Sequence, residues 1–177
     1  LYVKELEKNN IHRQYLKILE ERGEVIRVIK GLYVAPDKDI NEFFIMGERY
    51  KTGIFSHNTA LYFYHLTDRT PMSLDMTFPS NVRVNNDFLE PHYIKPELHS
   101  LGETTLKLED GTNIKIYDLE RTICDIIRDR NKIDPQIFNT AMKEYFKSNK
   151  RNLNLLYKYA KKLKIDKILK KYMEVLD

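Results

Sequence analysis

His12, Arg13, Gln14 and Lys17 crowd the start of a helix-patterned segment, and Arg27 and Lys30 follow on a stretch patterned as a β-ribbon. Imidazole, guanidinium and carboxamide groups on the first turns of an exposed helix can hydrogen-bond base edges in a DNA major groove. Cationic side chains on a neighbouring ribbon can contact phosphate or the minor groove. DNA recognition is therefore the first chemistry the chain suggests.

Catalytic chemistry finds less support. Histidines stand at 12, 57, 65, 92 and 99, none at metal-ligand spacing. His57 and His65 share a predicted helix, but two turns separate them, too far for one ion to bridge easily. There is no Gly-x-Ser-x-Gly elbow and no phosphate-cradling loop among the six glycines. Asp75, Glu109, Asp110 and Asp118 invite a metal-dependent nuclease reading, yet Glu109-Asp110 is better explained as a hairpin turn, and no lysine follows at a completing spacing. The single cysteine, Cys124, lies in the apolar run 123–127 and reads as a small buried hydrophobe. The expectation is a non-enzyme with no catalytic residue, metal site or cofactor.

Ile11, Tyr15, Leu16 and Leu19 form an apolar stripe opposite His12, Arg13, Gln14 and Lys17. Gly23 can end that helix in the left-handed conformation, and Val25, Val28 and Ile29 with the return Leu32-Tyr33-Val34 predict a two-stranded wing closed by Pro36. Upstream, Val3 and Leu6 give a short helix one apolar face, and Asn9-Asn10 supplies a turn. Helix, turn, second helix and wing is the winged helix-turn-helix order. Only about ten residues precede the second helix, and the chain opens at Leu1 without Met, so the first helix of such a domain is expected to be missing. Pattern alone also accommodates a helical hairpin and β-hairpin used only for packing.

Further along, Asp39 and Glu42 suggest a capping box for a helix over about 40–50, and Ser56 a cap for a helix ending near Leu66. Met72, Leu74, Met76 and Phe78 alternate with polar residues as in a half-buried strand. Prolines 91 and 96 bracket a short edge strand, and Asp110-Gly111 joins two apolar alternations into a hairpin. Asp118 and Asp134-Pro135 start two helices, and two more follow at roughly 152–163 and 166–176. The fold class is α+β: a winged helix-turn-helix at 1–36, then a larger α+β domain at 37–177 with a small, mainly antiparallel sheet and C-terminal helices.

At 177 residues, 42% hydrophobic and 32% charged, the composition is that of a folding globular protein. No apolar run approaches the ~18 residues of a membrane span, and no signal-peptide pattern is present, so no membrane partner is expected and the default location is cytoplasmic. The net charge of +4 is unevenly spread: residues 143–171 hold eleven Lys and Arg against two acidic residues. Lys158, Lys161, Lys162 and Lys164 cluster there near one helix end, a surface suited to phosphate or an acidic partner, or equally to plain solvation.

Three blocks resemble one family. Residues 11–16 with Gly23 and the wing 27–33, then Phe55-Ser56-His57-Asn58-Thr59-Ala60-Leu61, and finally Ile116-Tyr117-Asp118-Leu119-Glu120-Arg121-Thr122-Ile123-Cys124-Asp125 look like the AbiEi antitoxins of type IV abortive-infection toxin–antitoxin systems. The resemblance implies a winged-helix domain that binds inverted repeats in its own promoter. It also implies a second domain that neutralises a nucleotidyltransferase toxin in phage defence, with or without direct contact. His12 stands where the family commonly has serine. The residues leave two alternatives open: a stand-alone transcriptional regulator with a ligand-sensing or dimerising second domain, and a DNA-targeted metal-dependent nuclease.

Overall fold

In the computed structural model, residues 2–10, 12 and 14–176 are described, and the chain divides into two compact units, Leu1–Tyr50 and Lys51–Asp177. The fold is α+β, with a two-stranded antiparallel sheet in the first unit and a five-stranded mixed sheet in the second.

The first unit carries α1 (Val3–Lys8), α2 (Gln14–Glu21), β1 (Ile26–Ile29), β2 (Leu32–Val34) and α3 (Glu42–Arg49). Gly23 follows α2 at φ +72°, and the Glu24 N–H turns back to the Leu19 carbonyl at 2.9 Å, closing the helix as its position predicts. The strands pair Ile26 with Val34 and turn at Gly31, whose φ of +88° suits glycine. Tyr2 bridges Leu32, and the Val3 N–H donates to the Gly31 carbonyl at 3.0 Å, so the N-terminal residues extend the ribbon. Among the described residues, Leu6, Leu16, Val25, Leu32 and Met46 are the buried apolar side chains of this unit. The unit takes in α3, which packs against β1, and so runs past residue 36. Asn41, not Asp39, caps α3, its side chain accepting from the Phe43 N–H at 2.9 Å.

The second unit is built on the sheet β5-β4-β3-β7-β6, from β3 (Ile54–Phe55), β4 (Leu74–Pro79), β5 (Leu89–Ile94), β6 (Glu103–Lys107) and β7 (Asn113–Tyr117). Its helices are α4 (His57–Phe63), α5 (Pro96–His99), α6 (Leu119–Arg128), α7 (Pro135–Lys147), α8 (Leu153–Lys162) and α9 (Asp166–Leu176). The sheet is not mainly antiparallel: β4–β5 and β3–β7 run parallel, while β3–β4 and β6–β7 run antiparallel. The connection 80–88 returns the chain to the start of the sheet instead of turning it tightly, which makes β4–β5 parallel. Strand β4 is also buried on both faces, not half-buried, because α4 covers its Asp75 and Thr77 side. Met72, expected to point inward with it, is fully exposed.

Helix α6 is the hub. It packs against α4, α7, α8 and α9, and its Ile123, Ile126 and Ile127 join Leu61, Phe138, Tyr145, Leu156 and Leu169 in one apolar core. Asp118 caps it by accepting from the Arg121 N–H at 2.8 Å, as Asp134 caps α7 through the Gln136 and Ile137 N–H groups. Buried polar groups tie the layers together. Glu120 accepts from the Tyr145 hydroxyl at 3.3 Å and the Asn152 N–H at 2.8 Å, and the Tyr159 hydroxyl donates to Asp118 Oδ2 at 2.8 Å.

Candidate functional site

In the first unit, His12, Gln14 and Lys17 are exposed around the start of α2, and Arg27 and Lys30 are exposed on the β1–β2 ribbon. Arg13 and Ile11 lie outside the described residues. His12 Nδ1 accepts from the Gln14 N–H at 3.4 Å, and Lys17 lies 3.8 Å from Glu21 in an exposed ion pair too weak to withhold it from a ligand. Leu16 is buried, but Tyr15, expected on the inward stripe, is 60% exposed and adds an aromatic ring to the polar surface. Leu16 and the half-buried Leu19 set the inward side of α2, and Tyr15, one residue before Leu16, is rotated off it.

In the second unit, Lys158, Lys161, Lys162 and Lys164 are all exposed, while Tyr159 and Leu163 between them are buried. Lys161 lies over the Tyr157 ring at 4.7 Å, and Lys164 takes a left-handed φ of +59° just beyond the last turn of α8. Cys124 is buried, and burial pushes its thiol far up from the usual range, so it is not a nucleophile at neutral pH.

A different constellation forms where β3 hands over to α4. Ser56 occupies the cap position of α4 but makes no cap; its hydroxyl instead accepts from Thr77 on β4 at 2.8 Å and contacts His57 Nδ1 at 3.0 Å. With the Thr77 proton directed to Ser56, the Ser56 proton serves His57 Nδ1, and the proton of the neutral ring is placed on Nε2, which donates to Asp129 Oδ2 at 3.1 Å. Burial pulls the His57 pKa below its ordinary value, outweighing the upward pull of Asp129, so the ring is neutral at pH 7. Asp129 goes the other way: the His57 hydrogen bond, followed by the charge of Arg128, holds its carboxyl well below the usual range. Ser, His and Asp are in line, but Ser56 is completely buried, with its hydroxyl engaged by Thr77 and His57.

The parallel register of β4 and β5 sets Thr77 beside His92 and Asp75 beside Glu90, on one face, and His92 Nε2 reaches diagonally to Asp75 Oδ1 at 2.7 Å. The His92 ring stacks on His57 with centroids 3.6 Å apart and planes 13° apart. Both rings border a cleft of about 350 Å³, shared with Asn58, Asp75, Arg128, Asp129 and Lys132 among others. Among the described residues, one donor atom from each of His57, His92 and Asp129 lies within 4.8 Å of the other two.

Spacing along the chain shows none of this, because the partners of His57 stand 35 and 72 residues away and meet only through the sheet. The sequence shows His57 and Asp75 only as isolated candidates. The remaining nuclease candidates do not converge. Asp110 holds its own turn through the Thr112 N–H, and Asp118 is a cap.

No protein-family model matches the chain, and no curated protein matches it significantly.

Proposed function

We propose that the protein is an AbiEi-like antitoxin and autoregulating repressor, in which the first unit acts as a winged helix-turn-helix on repeats in its own promoter and the second neutralises a nucleotidyltransferase toxin. The observation that carries this reading is the joint exposure of His12, Gln14 and Lys17 at the head of α2 with Arg27 and Lys30 on the ribbon that follows. An α-helix with polar side chains on its first turns fits the major groove, and a basic ribbon beside it fits the flanking backbone. The Tyr2–Leu32 bridge supports it further, since pairing by a residue upstream of α1 braces the ribbon.

The basic end of α8 is the proposed antitoxin surface, because Lys158, Lys161 and Lys162 share one exposed helix face that a phosphate-rich or acidic partner can cover. Co-expression tests it. The wild-type chain should restore growth to cells arrested by the nucleotidyltransferase encoded beside it. Reversing the three lysines to Glu should abolish rescue at unchanged protein level and melting temperature, as exposed substitutions shift stability by only about 0.5 kcal/mol. Full rescue by the folded triple variant would refute the assignment of this surface.

A second reading, a stand-alone regulator with a ligand-taking second domain, is favoured by the His57–His92 cleft. A lone gene with no nucleotidyltransferase neighbour would select it.

A further inference from the structure

We propose that His57, His92 and Asp129 form a binding site for a single zinc-class divalent cation at the mouth of the second unit's cleft. The inference does not depend on DNA binding or on the antitoxin reading.

Donor chemistry comes first. Two imidazoles and one carboxylate are the ligand set of an open tetrahedral site for zinc or a neighbouring late transition ion, and a poor set for magnesium or calcium, which take oxygen. The spacing agrees. Two donors each about 2.0–2.2 Å from one ion are themselves roughly 3–3.5 Å apart, and His57 Nε2 and Asp129 Oδ2 stand at 3.1 Å, with the His92 donor within 4.8 Å of both. To complete the triangle the His92 ring must tilt out of its 13° stack on His57 while keeping Asp75 on Nε2, so that Nδ1 meets the ion.

The surroundings hold these rings as metal-bound imidazoles are held. Asp75 fixes His92 through one ring nitrogen, leaving the other for the ion, and Ser56 contacts His57 Nδ1. With an ion on Nε2, the His57 proton sits on Nδ1 and donates to Ser56, and the Ser56 and Thr77 hydroxyls turn to pass the bond on.

Two further observations point to a ligand. His57 is a fully buried non-glycine residue at φ +45°, a strained backbone that sets its ring against His92 and Asp129. Asn58 Oδ1, at the same cleft, is a buried acceptor with no hydrogen-bond partner, which a cation or its bound water would satisfy. Arg128 does not fill this role. It lies 3.1 Å from Asp125 and donates to Asp129 Oδ2 at 3.2 Å, with Lys132 3.9 Å from Asp129 Oδ1, so an ion on Asp129 shares that carboxylate with both cations.

The test uses the full chain, stripped with chelator and titrated with Zn2+ against a chromophoric competitor, with Co2+ as a spectroscopic substitute. Wild type should bind one Zn2+ per chain with micromolar affinity or better, show the intense visible bands of tetrahedral Co2+, and melt at higher temperature with one equivalent of zinc. His92→Ala, on an edge strand, and the near-isosteric Asp129→Asn should each weaken binding by at least about 100-fold and lose the thermal shift, and Ser56→Ala should cost about 10–100-fold. Exposed His65→Asn, which keeps the left-handed backbone at φ +55°, should leave zinc binding unchanged. Absence of saturable binding overturns the proposal. So does binding that survives in both folded variants, since it would then reside on scattered surface histidines. If His92→Ala does not fold, Asp129→Asn decides.

Discussion

The imidazoles of His57 and His92 lie face to face, 3.6 Å between centroids, and each is hydrogen-bonded to a carboxylate of its own, Asp129 and Asp75. Burial, more than any neighbouring charge, keeps the His57 ring neutral.

Acid should therefore destabilise the fold. Burial holds the pKa of His57 below 6.5 and does the same for His99, whose ring donates to the Thr77 carbonyl. Between those depressed values and 6.5 the unfolded chain binds more protons than the folded one, so stability present above 6.5 is lost as pH falls into that window. Asp118 works in the opposite sense, because burial raises its carboxyl pKa. The diagnostic quantity is consequently the difference between wild type and His57→Asn, a replacement that tolerates the left-handed backbone. Urea midpoints should fall between about pH 7.5 and about pH 5.5 in wild type and fall less in the variant. Equal slopes in the two proteins would contradict the assignment.

Much of the second unit is legible in the sequence wherever the signal is local. Asp110-Gly111 marks the β6–β7 turn, with Leu106 opposite Ile114, and Asp118 and Asp134 mark helix starts through their own side-chain bonds. The parallel pairing of β4 with β5 is not legible, because a connection without a helix or turn motif does not reveal strand direction. The candidate ion site is lost for the same reason: Asp75 and His92 meet only through that register, and Asp129 arrives at the far end of α6. Ser56 misleads in a different way, since its residue type and position indicate a cap while its hydroxyl serves Thr77 and His57.

Asp125 is the counter-ion of the buried hub. Its Oδ2 accepts from Arg121 Nε at 3.0 Å, and Oδ1 lies 3.1 Å from Arg128 Nη1, an ion pair without hydrogen-bond alignment. Arg121 is completely buried, stacks over the Tyr117 ring at 4.0 Å, and donates to the Leu98 and Leu101 carbonyls. Asp125→Ala strands that guanidinium and should cost about 3–5 kcal/mol in denaturant unfolding. A loss under about 1 kcal/mol would mean that Leu98, Leu101 and Tyr117 suffice.

Gly102 and Gly111 separate two costs of a side chain. Both are left-handed, at φ +79° and +82°, but a Cβ at Gly111 meets nothing within 4 Å, whereas one at Gly102 would stand 2.5 Å from Arg121 Cβ. Gly111→Ala should cost about 1–2 kcal/mol from backbone strain alone. Gly102→Ala should cost a further 1–3 kcal/mol or so by pushing Arg121 out of place. Equal losses in thermal unfolding would show that the loop yields freely around α6.

Whether the head of α2 reads DNA sequence while the ribbon holds backbone is decided by fluorescence anisotropy with a duplex from the gene's own upstream region at several salt concentrations. Wild type should prefer that duplex to a scrambled one by at least about 100-fold. Replacing His12, Arg13, Gln14 and Lys17 together with Ala should erase the preference, while Lys30→Ala should weaken binding to both duplexes alike and reduce the salt slope by about 1. If the quadruple variant binds the upstream duplex as tightly and as selectively as wild type, the first unit does not read DNA through α2 and the account is wrong.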